Sequence, residues 1–164
     1  MPEEQSPPLK LSQDDLNYHQ GSGYPAPYDK ICKDRQKAKI GDIFGLNQFG
    51  VNQTILPPGQ ASSQRHWHTA EDELIYIIAG TATLITDQGE TTLTTGDYAG
   101  FKAGNPDGHQ LVNKSDDNVI ILEIGGRSQA DEGHYPDIDL LIDEPRYEGE
   151  IARFKHKDGS HYED

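Results

Sequence analysis

The strongest constraint on the fold is a succession of short apolar or alternating segments between residues 49 and 125, separated by residues that favour turns. Their spacing of about 8 to 12 residues is typical of an all-β sandwich or barrel, and no stretch shows a convincing helical period. The sequence therefore predicts an all-β fold. The eight candidate strands are FGVNQTIL (49 to 56), SSQRHWH (62 to 68), ELIYIIA (73 to 79), TATLIT (81 to 86), ETTLTT (90 to 95), DYAGF (97 to 101), HQLVN (109 to 113) and VIILEIG (119 to 125).

The chain on either side of these strands has a different character. Residues 1 to 38 contain proline-rich segments without a persistent period, so we expect an extended N-terminal arm before a barrel of residues 39 to 126. Residues 127 to 164 become charged again and are predicted to form a C-terminal extension, with PDIDLLIDE as one possible added strand. No second domain is expected.

Charge and composition restrict the partners. The 28 acidic and 14 basic residues give a formal charge of -14, which repels nucleic-acid phosphates and anionic membrane surfaces. No segment approaches the roughly 20 apolar residues of a membrane span, and the N-terminus lacks the pattern of a signal peptide. The single cysteine, Cys32, cannot form an intramolecular disulfide and is expected in or near a core. We therefore expect a cytoplasmic protein that binds neither nucleic acid nor membrane.

A candidate metal site begins at the segment HWHTAEDE, residues 66 to 73. Side chains at positions i and i+2 of a strand share a face, so His66 and His68 project together while Trp67 points away. If the following turn returns the chain as a neighbouring strand, Glu73 enters beside them. His109 follows a loop, KAGNPDG, that could bring it to the same end of a barrel as a fourth ligand.

Other polar residues near this segment are weaker candidates. Glu71 and Asp72 lie in the predicted turn and are expected to face water. Gln64 shares the ligand face and could line a pocket or support a ligand, with simple solvation as the alternative. Tyr98 and Lys102 are separated by an even number of positions and so are expected on the same face near the barrel mouth. They could bind an anionic substrate there, although a lysine in such a loop is usually solvated.

Two motifs of this sequence resemble those of the cupin superfamily. The first is matched by Gly59, His66, His68, Glu73 and Gly80. The second is matched by Gly96, Lys102, Gly104, His109 and Asn113. Lys102 replaces the usual proline, and four residues rather than two separate Gly104 from His109, so the loop departs from the family pattern while all four ligand positions are filled.

The resemblance implies a double-stranded β-helix, which is a jelly-roll barrel, with one divalent transition metal near an open end. The ligands would be His66, His68, Glu73 and His109, a donor set that suits Mn, Fe, Co, Ni, Cu or Zn without selecting among them. The layout also resembles a small bacterial-type group likened to sugar phosphate isomerases. Cupins commonly pair through barrel faces, so a homodimer is expected.

Several functions remain compatible with the sequence. The preferred one is a metal-dependent enzyme acting on a small, oxygen-rich metabolite, by isomerase-like or dioxygenase-like chemistry. No catalytic base is evident beyond the ligands. The alternative is a non-catalytic cupin module that binds a small molecule or carbohydrate.

Overall fold

The computed structural model describes residues 6–143 and 153–162, in which strands dominate. The strands are β1 (His19–Gln20), β2 (Gln36–Ala38), β3 (Phe49–Leu56), β4 (Trp67–His68), β5 (Glu73–Ala79), β6 (Thr81–Thr86), β7 (Gly89–Thr94), β8 (Tyr98–Phe101), β9 (Gln110–Val112), β10 (Val119–Gly126), β11 (Gly133–Tyr135) and β12 (Leu140–Ile142). The helical elements of the described residues are one α-helix, α1 (Ile40–Ile43), and two 3-10 turns, Gln13–Asp15 and Lys30–Cys32. None of these helices could span a membrane.

The largest sheet has six strands in the order β1-β2-β3-β10-β5-β8. Its centre is β10, which runs antiparallel to β3 along their whole lengths and antiparallel to β5 on its other side. Alternate residues of β5 and β10 point inward, so Ile75, Ile77, Val119 and Ile121 are buried. This register fixes which side chains of each strand enter the interior.

Two three-stranded sheets, β7-β6-β9 and β12-β11-β4, complete the structure. The main core includes residues of β6, β7 and β9 together with those of the large sheet. Its buried members are Leu56, Ile75, Ile77, Ala82, Leu93, Ala99, Leu111, Val119 and Ile121. Full burial of a large aliphatic side chain contributes about 1.5 to 3 kcal/mol, so this core is the main source of stability. The predicted all-β jelly-roll architecture is confirmed.

Most predicted strands agree closely with the structure, but the segment from residue 62 to 68 is a strand only at Trp67–His68. The first half of this segment is irregular, and its backbone groups form individual hydrogen bonds instead of a continuous strand ladder. The Ser62 amide donates to the Leu111 carbonyl, and the Leu111 amide donates to the Ser62 hydroxyl. The Ser62 hydroxyl thus takes the place of a backbone carbonyl as hydrogen-bond acceptor. The sequence pattern of polar and apolar residues does not reveal such a replacement.

The regions predicted as terminal arms contribute strands where the structure describes them. In the N-terminal region, β1 and β2 extend the large sheet beyond β3, and Cys32 is fully buried as expected. In the C-terminal region, the possible strand in PDIDLLIDE is present as β12. A second cluster of buried side chains, Tyr135, Leu140 and Ile142, packs there with Tyr24 and Phe154. The domain boundaries themselves stay predictions.

Gly80 is the residue at which the chain passes from β5 in one sheet to β6 in another. Its φ is +90°, and an added Cβ would lie 2.7 Å from the Asn118 carbonyl oxygen. We expect Gly80→Ala to lower the free energy of unfolding by about 2 kcal/mol or more, because backbone strain and a clash with backbone combine. Urea unfolding measures this change.

Gly89→Ala is the matched control, because Gly89 also has a positive φ, +108°, but has open space around it. Strain alone should cost about 1 kcal/mol there. A loss in Gly80→Ala no larger than that in Gly89→Ala would contradict the close approach.

Candidate metal centre

Three elements bring the four predicted ligands together. His66 and His109 face each other across an isolated antiparallel bridge, in which each backbone amide donates to the other's carbonyl at 3.1 and 2.9 Å. His68 lies two residues after His66, at the end of β4, and Glu73 is the first residue of β5. The bridge therefore joins the two segments that the sequence keeps apart.

The ligand atoms converge on one carboxylate oxygen. Glu73 Oε2 lies 2.7 Å from His109 Nε2, 3.7 Å from His66 Nε2 and 3.6 Å from His68 Nε2. Atoms bound to one ion at about 2.1 Å are about 3.0 to 3.4 Å apart in right-angled or tetrahedral arrangements. The observed distances lie on both sides of that range, so small side-chain movements would place all four atoms around a single ion.

Two of the imidazoles are oriented through their other nitrogen. His66 Nδ1 lies 2.9 Å from the Gln64 carbonyl oxygen, and His68 Nδ1 lies 2.7 Å from Asp131 Oδ2. Both acceptors favour a proton on Nδ1, which leaves the Nε2 lone pair directed toward Glu73. Such supporting contacts fix the ring and its tautomer in metal sites.

Electrostatics give the ligands the protonation states that a metal requires. Burial lowers the pKa of His66 to about 3, because the charged imidazolium would lose its hydration. Burial opposes the charge of Glu73, but the imidazoles of His109, His66 and His68 outweigh it and lower the pKa of Glu73 well below its ordinary value. At neutral pH the site therefore presents a neutral His66 and an ionised carboxylate.

The residues fit a divalent transition metal. Among the described residues, Glu73 Oε2 is buried and has no hydrogen bond of good geometry, and His109 Nδ1 is likewise buried without a partner. A buried carboxylate oxygen without a hydrogen bond is costly unless a cation satisfies it. His66, His68 and Glu73 also form a group whose ligand atoms all lie within 4.8 Å of one another, and His109 completes it through its contact with Glu73.

Glu71 corrects one prediction from the sequence. It was expected to face water, yet it is 5% exposed, while its neighbour Asp72 is exposed as predicted. The Glu71 carboxylate accepts the Ser128 amide at 2.8 Å and lies 4.0 Å from His68 Nδ1. The loop after β10 covers this turn, which is a contact distant in sequence and invisible to a local pattern.

Two cavities border the centre. The smaller, of about 390 Å³, is lined in part by Tyr98 and Lys102, two of the predicted substrate residues. The larger, of about 460 Å³, is lined by His66 and, among others, Lys37 and Glu123. His68, Glu73 and His109 border both cavities, whereas His66 borders only the larger one, so the larger cavity reaches all four ligands.

Gln64, the third predicted substrate residue, lines neither cavity. Its side-chain Nε2 donates to the Tyr28 carbonyl at 2.7 Å, so the side chain connects the N-terminal region to the barrel. Its backbone carbonyl instead orients His66. Sequence reasoning missed Asp131 as the partner of His68, and only the pairing of β4 with β11 brings the two together.

The cupin domain profile matches residues 52–125 of the chain. A sugar phosphate isomerase of the cupin superfamily from Silicibacter pomeroyi is 37% identical, with a TM-score of 0.86 over 94% of this chain and 96% of that one. The chain belongs to the cupin superfamily. The suspected resemblance is therefore confirmed, and the double-stranded β-helix with it.

Two more distant structures share the cupin fold. A proposed sugar phosphate isomerase from Acidithiobacillus ferrooxidans is 22% identical, with a TM-score of 0.76 over 95% of this chain and 97% of that one. A polyketide cyclase from Streptomyces resistomycificus is 18% identical, with a TM-score of 0.57 over 71% of this chain and 78% of that one. No curated protein matches this cupin significantly by sequence.

Asp131→Asn tests the contact that orients His68. We expect the affinity for a divalent metal to fall roughly 10- to 100-fold, because the amide supports the Nδ1-protonated ring less strongly than the carboxylate does. Competition with a fluorescent chelator for Zn²⁺ or Co²⁺ measures the affinity.

Asp139→Asn is the matched control, because Asp139 Oδ2 also lies 2.7 Å from a histidine Nδ1, that of His156, on the exposed C-terminal part. Its metal affinity should equal that of the wild type. Equal affinities in both variants would show that Asp131 does not support the centre.

Proposed function

We propose that this cupin is a metal-dependent isomerase that interconverts the aldose and ketose forms of a sugar phosphate. The observation that carries the proposal is the convergence of three histidine nitrogens on Glu73 Oε2 at the wall of a polar cavity. The 37% identical relative, which carries the name sugar phosphate isomerase, supports the same chemistry.

A bound divalent metal would act as a Lewis acid that polarises the sugar carbonyl and favours loss of the neighbouring C–H proton. The four protein ligands hold their donor atoms at one end of the barrel, where substrate can reach them from a cavity.

The charges of the larger cavity suit an anionic substrate better than those of the smaller one. Its basic side chains are Arg35, Lys37, Lys39 and Arg127, and its carboxylates are Asp42, Glu71, Glu73 and Glu123. These charges cancel, so binding of a divalent ion would give the cavity a net charge of about +2. The charged side chains of the smaller cavity are one lysine, Lys102, and three acids, Glu71, Glu73 and Asp107. The same ion would only bring its net charge to about zero.

The larger cavity is therefore the proposed entrance for the phosphate, although the protein as a whole carries a charge of -14. Tyr98 and Lys102 stay candidates for contacts in the smaller cavity. The cytoplasmic location and the homodimer expected from the sequence also stay predictions.

The proposal is tested first by metal content and then by turnover. Elemental analysis of protein purified without added metal should find a stoichiometric transition metal in the wild type and none in His66→Ala. Metal-loaded wild type, incubated without oxygen with pentose and hexose phosphates, should interconvert one aldose and ketose pair, followed by NMR. His66→Ala should lose at least about 100-fold of this rate, since it lacks the metal.

His161→Ala is the control, because this exposed histidine lies outside both cavities. It should keep the metal and the activity. Turnover that consumes oxygen would replace the isomerase with a dioxygenase, and ligand binding without turnover of any sugar phosphate would favour the binding module.

A further inference from the structure

A lysine and a glutamate face the metal centre from the inner side of the large sheet. Gly125 of β10 pairs with Glu73 of β5, and an added Cβ on Gly125 would lie 3.7 Å from Glu73 Cγ. Glu123 is two residues earlier on the same strand and therefore shares that inward face, one step deeper than Glu73. Lys37, on β2, forms an ion pair with the Glu123 carboxylate.

The contacts of Glu123 leave part of its carboxylate available. Lys37 Nζ lies 2.8 Å from Glu123 Oε2, and the Thr54 hydroxyl donates to the same oxygen at 2.7 Å. Neither contact with these described residues uses Oε1. The side chains of Lys37 and Glu123 are 25% and 18% exposed, so both remain accessible from the cavity while mostly shielded from bulk water.

The other carboxylates that line this cavity have different partners. Glu73 belongs to the metal centre, and Glu71 accepts a backbone amide and lies beside His68. Asp42 forms an ion pair with Arg127. Glu123 is thus the carboxylate of this cavity whose geometry suits proton exchange with a substrate held at the centre.

We propose that Glu123 is the catalytic base of the isomerase reaction and that Lys37 is its acid partner, an inference that rests on the proposed function. Glu123 takes the C2 proton of the aldose, the C–H electron pair forms the C1–C2 double bond, and the carbonyl π pair moves to O1. Lys37 donates a proton to O1 and recovers one from O2. As Lys37 takes the O2 proton, the O2–H electron pair forms the C2–O2 double bond. The C1–C2 π pair then takes the proton of Glu123 at C1, so the ketose forms without any added reagent.

A purely structural role is the competing explanation. The same contacts join β2 and β3 to β10, so removing them could lower stability without touching the chemistry. The chain offers a matched surface pair in Lys114 and Glu90, whose charged atoms lie 2.6 Å apart and outside both cavities. A structural role of Glu123 would lower folding stability and metal content together with activity, whereas a role in proton transfer lowers kcat alone.

The experiment compares Glu123→Gln with Glu90→Gln in metal-loaded protein. We expect Glu123→Gln to lower kcat roughly 100- to 10,000-fold, with KM and metal content nearly unchanged, because the amide keeps the shape but cannot accept a proton. It should also abolish the exchange of the substrate C2 hydrogen with deuterated solvent. Calorimetry should show unchanged binding of the sugar alcohol phosphate that corresponds to the substrate.

Lys37→Met provides a second variant in case Glu123→Gln folds poorly, and it should lower kcat at least about 10-fold with the same bound metal. Glu90→Gln should behave as the wild type. If the wild type isomerises the substrate and Glu123→Gln keeps kcat and hydrogen exchange within threefold, the role of Glu123 is overturned while the proposed function stands. If the wild type neither isomerises nor exchanges any sugar phosphate, both fall.

Discussion

The contact between the buried Oε2 atom of Glu73 and the three imidazoles around it is the interaction on which the site depends. Removing an ionised carboxylate from water is costly unless a cation or several hydrogen bonds compensate it. Within residues 6–143 and 153–162, Glu73 Oε2 has no well-directed hydrogen bond, and Glu71 and Asp131 add two buried carboxylates near His68. A divalent ion among the ligand atoms would offset this concentration of negative charge.

The barrel holds Glu73 in place through the same register that forms the core. Glu73, Ile75 and Ile77 share one face of β5, and the two isoleucines are buried between the sheets. A shift of β5 by one residue would turn all three away from the interior. The register that buries Ile75 and Ile77 is therefore the same register that places Glu73 at the metal centre.

The sequence was most informative where the signal is local. Alternating or continuous apolar segments between turn residues predict β3, β5 and β6 at their observed boundaries. The i and i+2 positions of a strand place His66 and His68 on one face. The match to the cupin motifs added His109. The loop of residues 102 to 108, despite its departures from the family pattern, still delivers His109 to Glu73.

The supporting residues could not be predicted in the same way. Asp131 reaches His68 only because β11 pairs with β4, and Lys37 reaches Glu123 only because β2 pairs with β3, the neighbour of β10. These pairs are separated by dozens of residues, and no short motif marks either of them. The local pattern places Glu71 in water, which is wrong because the loop near Ser128, 57 residues later in the chain, covers it.

X-ray diffraction from metal-loaded crystals, collected on both sides of the absorption edge of the metal, tests the central claim most directly. If the metal is zinc, we expect one anomalous peak within about 2.0 to 2.2 Å of Glu73 Oε2 and of the Nε2 atoms of the three histidines. A fully loaded protein with its peak elsewhere, or with His109 outside bonding distance of the ion, would contradict it.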